Sequence, residues 1–459
     1  MKPEILALEG KTFIPADQLP ISEWDSALSE RPQPTLTLKD DDLFLLTDTL
    51  GNISGSVGDD RSSSMGLFCK DTRFLSRLEL QIEGRSPILL SSTADKGFVL
   101  SVLCTNPRID EQIKAESVGI KRELVLNGGL FEEIEISNYS TSSVTFELSL
   151  SFGADFLDLF EIRGYGREKR GRLLRVMPQH PQEQAEERKE PREADDPGEK
   201  GEGETEAIGA IEDELLEEQE FPTPNPQPVR LRQVASAHAE APHPTPAELL
   251  LAYQGLDGGL LESRIEFSHR QPDLFKGDTA IWQLHLESHE TQVLGYRLQM
   301  LNSNRPASTV SPPGTLGQAK AAELMEEQTW RQQVTHIRSD KNTFNQILER
   351  AEQDIYLLRQ SFGKGKALSA GVPWFSTLFG RDSIIAASQI LMLDSQIARE
   401  TLCILAQYQG QVDDEWRDEQ PGKILHEIRF GEMARCQEIP HTPYYGTVDA
   451  TPLWLMLYA

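Results

Sequence analysis

From Asp42 onward the chain alternates apolar and polar positions at a period of two. In GLFCKDTRFLSRLELQIEG the residues Leu78, Leu80 and Ile82 fall on one side of an extended segment, and in SVTFELSLSFG Val144, Phe146, Leu148, Leu150 and Phe152 do the same. That pattern belongs to half-buried strands. KGFVLSVLCTN, IKRELVLNG and FEEIEISNYS repeat it between Asn, Gly and Ser clusters, with no helical segment among them. Short strands in that order predict an antiparallel β-sandwich. Strand patterns resume at ELLLAYQGL, ESRIEFSHR, TAIWQLHLES and TQVLGYRLQML, so the sandwich is expected to span 42–305, after a loosely ordered, proline-punctuated lead-in over 1–41. Trp282 reads as packing or sheet surface, and Asp71 and Arg73 as residues that pin a turn.

The strand series is interrupted by PQEQAEERKEPREADDPGEKGEGETEAIGAIEDELLEEQE. So few apolar residues cannot bury enough surface to offset the entropy of ordering the segment. A disordered acidic insertion is expected at 178–245, in a loop between two strands of one sandwich.

After Pro306, Pro312, Pro313 and Gly314 the period changes to that of helices. Residues 306–341 read as a linker with one helix, AKAAELMEEQTWRQQ. In the next helix Phe344, Ile347, Leu348, Ala351, Ile355 and Leu358 recur at three-and-four spacing, with Asn342 as the expected N-cap. SIIAASQILML, SQIARETLCILAQYQG and a helix from about Thr451 follow. The architecture is therefore multidomain, β then α.

Composition narrows the classes. Of 459 residues 38% are apolar and 26% charged, as in soluble globular proteins, and no apolar run is long enough to span a membrane. The start carries no secretory pattern, so a cytoplasmic location is expected. Cys69, Cys104, Cys403 and Cys436 have no metal-binding spacing, and no cofactor or metal is expected. A net charge of −28 argues against nucleic acid. Much of it is local, however, because residues 183–220 hold 17 acidic and 4 basic groups. The working surface is less acidic than the total implies.

Candidate chemistry gathers in two loops that each feed an apolar helix. GVPWFSTLFGRDSII joins a Gly-Pro turn, Trp374 and Phe375 to Arg381 and Asp382. Flat apolar faces beside directed donors and acceptors suit a sugar, with its C–H face and hydroxyl rim. A structural salt bridge beside buried aromatics is the plainer alternative. The second loop, KILHEIRFGEMARCQEIPHTPYYGTVDATPLWLMLYA, carries His426, Glu427, Arg429, Glu432, His441, Tyr444, Tyr445 and Asp449. His426, Glu427 and His441 lack a third ligand at metal-binding spacing, which leaves loop anchoring or sugar hydrogen bonds.

GVPWFSTLFGRDS, KILHEIRFGEMA and PYYGTVDATPLWL resemble the first part of the catalytic barrel of bacterial amylo-α-1,6-glucosidases, the glycogen-debranching type of six-hairpin glycosidase. GLFCKDTRFLSRLEL and ADFLDLFEIRG resemble the sandwich that precedes that barrel. The resemblance covers about 42–178 and 250–459. It implies that residues 342–459 form an incomplete (α/α)6 barrel, and that Arg381, Asp382 and Asp449 bind the sugar in the cleavage subsite, with Trp374 and Phe375 as its floor. The implied partner is an α-glucan, and the implied reaction is inverting hydrolysis of α-1,6 branch points. Such a reaction needs a protonated carboxyl and a basic one roughly 6.5–9.5 Å apart. In the superfamily these come from later hairpins, so acid and base are expected beyond residue 459. A trehalase-like or other α-glucosidase, or a non-catalytic carbohydrate-binding fragment, is the competing expectation. The 459-residue chain is accordingly expected to release negligible glucose from branched dextrin, and release at the rate of a complete enzyme would contradict this reading.

Overall fold

The computed structural model describes residues 4–18, 34–57, 61–109, 113–176, 248–304 and 313–459. Two antiparallel sheets form the sandwich. The larger has ten strands, in the spatial order Leu6–Leu8, Lys11–Pro15, Arg172–Val176, Glu248–Gln254, Leu260–Ser268, Thr291–Asn302, Leu130–Asn138, Val118–Leu126, Val99–Thr105 and Ile88–Thr93. The smaller runs Leu274–Lys276, Thr279–Leu286, Val144–Gly153, Arg77–Ile82, Ile53–Ser54. The expected inward rows lie between them. Leu78, Leu80 and Ile82 are fully buried, as are Leu148 and Leu150, against Ile120, Leu124, Ile134 and Leu298 of the large sheet. Trp282 belongs to this core, with its ring edge-on to Phe267.

A four-stranded sheet, Leu36–Asp40, Leu43–Thr47, Gly66–Cys69 and Thr72–Leu75, lies beside the sandwich. It begins, like the hairpin at 6–15, inside the stretch expected to be a lead-in. The described part of 1–41 is therefore largely strand, and Phe13 and Ile14 are buried there. Prolines next to short edge strands concealed them, since an edge strand tolerates proline on its unpaired side. The strands 172–176 and 248–254 pair directly with each other, so the acidic segment does interrupt two neighbours of one sheet. The segment itself, 178–245, lies outside the described residues.

The two sheets are joined by hydrogen bonds of a buried, ion-paired guanidinium as well as by apolar contact. Arg122 donates from Nε to Glu132 at 2.6 Å and from Nη1 to Leu50 O at 2.7 Å and Asn52 Oδ1 at 2.6 Å. Both charged side chains are almost completely buried. Asn52 in turn accepts from Leu80 N of the smaller sheet, so one guanidinium spans both layers.

Seven α-helices occur among the described residues: α1 Leu159–Ile162, α2 Leu316–Arg331, α3 Asn342–Leu358, α4 Gly380–Gln389, α5 Ser395–Gln407, α6 Glu432–Arg435 and α7 Ala450–Tyr458. They do not amount to the twelve of a closed (α/α)6 ring. Leu316 and Ala319 of α2 pack against Phe98, Val99, Val125 and Phe131 of the large sheet. Of the apolar stripe expected of α3, only the C-terminal end packs inward, through Ile355 and Leu358. Glu352, Gln353 and Tyr356 turn inward, while Phe344 is 48% and Ile347 60% exposed. Those buried polar groups have partners, which removes the cost of burying them: Tyr356 Oη donates to Glu323 at 2.8 Å, Gln353 Nε2 to Lys96 O at 2.9 Å, and Arg331 Nη1 to Glu352 at 2.8 Å. The helix starts after Lys341, so Asn342 is its first residue and not its cap. A hairpin, Arg359–Phe362 with Gly365–Leu368, separates α3 from α4 where only a loop was expected.

Helices α4, α5 and α7 share a core of Leu378, Ile384, Ile404, Leu405, Leu425, Tyr445 and Ala450. No helix among the described residues is long and apolar enough to cross a membrane. Breaking one half of a buried ion pair strands the other charge. Glu132→Ala is therefore expected to lower stability by about 3–5 kcal/mol in urea unfolding. The double variant Arg122→Met with Glu132→Leu should lie closer to the wild type, and two equal losses would contradict the stranded-charge account.

Candidate functional site

The segment 371–380 is held at both ends before its side chains are considered. Gly371 and Phe375 exchange backbone hydrogen bonds of 3.0 and 2.9 Å, which closes the turn that carries Pro373 and Trp374. Gly380 N donates to His426 O at 2.9 Å, and His426 N to Tyr444 O at 2.7 Å. Three segments, 377–380, 426–429 and 441–445, thus lie side by side. Gly380 is required there, because a Cβ would sit 2.0 Å from Leu425 O. The two chemistry-rich loops are consequently one structure, with α4 and α7 leaving from it.

At its centre sits the Arg429 guanidinium, 3% exposed. Nε donates to Glu427 Oε2 at 3.0 Å, Nη1 to Asp71 Oδ1 at 2.9 Å and Nη2 to Trp374 O at 3.0 Å. The Phe160 and Phe379 rings lie 5.3 and 5.4 Å from its Cζ, within cation–π range. Asp71 also accepts from Phe430 N at 2.8 Å. Asp71 belongs to the turn of a sandwich-side hairpin, so a sheet element and the helical region meet on one residue. It does more than pin its turn.

Burial would raise the Glu427 carboxyl, but the His441 ring at 2.9 Å and the Arg429 guanidinium overcome burial and hold it at about 2. Burial does prevail at Asp158, the N-cap of α1, whose carboxyl is pushed up to about 7 although it accepts from Phe160 N and Met433 N. Glu432 faces the sandwich: it accepts from Tyr253 Oη at 2.8 Å, Leu256 N at 2.6 Å and Arg167 Nη1 at 2.9 Å. Tyr445 is in the core and donates to Tyr408 O at 2.7 Å.

The expected site residues therefore divide. Glu427, Arg429, Glu432 and Tyr445 are buried, with their polar groups engaged by partners within the protein. Phe375 and Arg381 are exposed, and Asp382, Asp449, Trp374, His426 and Tyr444 are half-buried, with Asp382 Oδ2 shielded and accepting no hydrogen bond. Arg381 is 3.6 Å from Asp382 and 3.5 Å from Asp449, an ion triad with stretched contacts. Asp382 and Asp449 stand at the starts of α4 and α7. Thr447 donates to Asp449, and with Arg381 nearby this holds its carboxyl below the ordinary range. His426 contacts Phe379 and Tyr444 edge-to-face, and the His441 ring also meets Tyr444 edge-on. Trp374 packs with Val372 against Phe44, Leu46 and Phe68 of the four-stranded sheet, with Arg163 over its ring. Asp71, Phe160 and Tyr253 had no sequence signal for their part here, since each acts through a partner more than 170 residues away. Among the described residues no group of His, Cys, Asp and Glu could hold a metal ion.

A carboxyl whose pKa is lowered by folding stabilises the fold above its unfolded value and loses that contribution as pH falls to the folded one. For Glu427 the window runs from about 4.5 down to about 2 and is worth on the order of 3 kcal/mol. Glu427→Gln is expected to be less stable at pH 6 and to lose less on acidification to pH 2.5, as read by urea midpoints. Parallel pH curves for the two proteins would remove Glu427 from the junction.

Residues 38–297 match the model of a family described as the N-terminal domain of (some) glycogen debranching enzymes. No curated protein matches the chain. Among solved structures, one provisionally named a kojibiose phosphorylase, from the human microbiome, aligns at 8% identity and a TM-score of 0.43, over 80% of this chain and 46% of that one. The chain thus spans less than half the length of that structure. The family match takes in the sandwich and its four-stranded companion over more than half of the chain. The chain belongs to the family defined by the N-terminal domain of glycogen debranching enzymes.

Proposed function

We propose that the chain is part of a glucan-active glycoside hydrolase of the debranching type, and that it supplies the sugar-gripping wall of the cleavage subsite. The observation that carries the reading is the loosely paired triad of Arg381, Asp382 and Asp449, set at two helix starts beside exposed Phe375. Ion pairs stretched to 3.5 Å and beyond leave donors and acceptors to exchange with hydroxyls, whereas the tight contacts of Arg429 do not. The aromatic faces would pack on the apolar side of a pyranose.

In this reading residues 342–459 are the first part of an (α/α)6 barrel, and the sandwich with its companion sheet is the support on which it is built. The reaction is hydrolysis of an α-1,6 branch point with inversion, by one protonated carboxyl and one base acting through water. Glu427 and Asp449 are both held in the ionised form, so neither suits the acid. They hold and orient. Glu432 is committed to the sandwich. That commitment of carboxyls to structure favours a second reading, in which this chain binds carbohydrate without cleaving it.

Asp382→Asn keeps the size of the side chain and removes the charge that Arg381 opposes. It is expected to weaken dextrin binding at least tenfold, or ~1.4 kcal/mol, with the melting temperature unchanged. Calorimetric titration with a maltooligosaccharide checks this, and undiminished affinity would take Asp382 out of the site.

A further inference from the structure

The loop between α5 and the second site segment, residues 408–423, has no part in the site described above. It is nonetheless built with care. Asp414 and Glu419 exchange backbone hydrogen bonds of 3.1 and 2.9 Å across the turn. The buried Glu419 carboxylate accepts from Gln411 N at 2.7 Å and pairs with Arg417, and Asp414 accepts from Trp416 N and Arg417 Nε, each at 2.9 Å. The loop is also fastened to the candidate wall. Tyr444 Oη donates to Asp418 at 2.7 Å, and Tyr445 N to Arg417 O at 2.8 Å.

What this frame presents is Trp416, 54% exposed and flanked by the exposed carboxylates of Glu415 and Asp418. Isolated apolar residues on a surface need no explanation. Here, however, Phe375, Val412, Trp416 and Val448 are all exposed on the loops that converge on Tyr444 and Asp449. A wide ring has little rotamer freedom to lose on binding and combines an apolar face with a donor, which is why Trp so often anchors an interface. Beside acceptor carboxylates it meets both faces of a sugar's chemistry.

We propose that Trp416 is the platform of an outer subsite, which stacks a glucose unit of an α-glucan chain further along than the unit held by Arg381, Asp382 and Asp449. The inference rests on the sugar-binding reading of that triad. It assigns Trp416 a role in chain-length preference and none in gripping the first sugar.

The test is calorimetric titration of the full chain with glucose and with maltoheptaose, for the wild type, Trp416→Ala and Trp416→Phe. Trp416 is exposed, so both variants are expected to keep the wild-type melting temperature. Support consists of a loss of at least tenfold in maltoheptaose affinity in Trp416→Ala, glucose affinity unchanged, and recovery to within about threefold in Trp416→Phe. Equal maltoheptaose affinity in wild type and Trp416→Ala overturns the subsite and leaves the triad standing. An equal loss for both ligands overturns it too, because the residue would then serve the first sugar. A wild type that binds neither ligand overturns the reading of the triad and the subsite with it.

Discussion

One buried guanidinium ties the loops, the sheets and the Trp374 turn to a single point. Arg429 is buried, and its Nε, Nη1 and Nη2 are answered by a carboxylate of its own loop, a carboxylate from the sheets and a carbonyl from the Trp374 turn. A charge removed from solvent is tolerated only when its hydrogen bonds are met. The three segments must therefore arrive at one point together or not at all. The Phe160 and Phe379 rings pack within cation–π range of the group.

This arrangement separates two kinds of charged group. Those that hold the loops are buried and tightly paired, and the triad of Arg381, Asp382 and Asp449 is more open and loosely paired. Arg429 and Arg381 carry the same guanidinium, yet contacts of about 3 Å surround one and contacts of about 3.5 Å the other. The difference lies in their neighbours. A site assembled this way can exchange partners with a ligand without loosening the frame beneath it, which is the usual requirement for a preorganised pocket.

The faces of the sandwich were legible in the sequence because burial on one side imposes a period of two, and Leu78, Leu80, Ile82, Leu148 and Leu150 kept to it. The same logic misled in part on α3. Its apolar stripe was real, but Glu352, Gln353 and Tyr356 found hydrogen-bond partners and took part of the inner side, and amphipathicity carries no record of such partners. The strands at 6–15 were too short, and too close to prolines, to show a period. In the candidate site, the mixture of aromatic and charged residues singled out two stretches that the structure brings side by side. It could not tell Glu432 from Asp449, since an acidic residue in a polar loop reads alike whether it faces Tyr253 or solvent. Asp71 was invisible for a related reason: its partner Arg429 lies 358 residues further on.

The pairing of strands 172–176 and 248–254 has a consequence for the history of the chain. Residues 177–247 leave and rejoin the sheet at neighbouring points, with Arg175 opposite Leu251. The entropy of closing a loop grows only with the logarithm of its length, so lengthening a connection from roughly ten residues to roughly seventy costs about 2 kcal/mol. The sheet is thus a permissive host at this point. A gene could gain, lose or exchange the acidic stretch while the ladder on either side stayed in register, and selection on that stretch could proceed almost independently of selection on the fold.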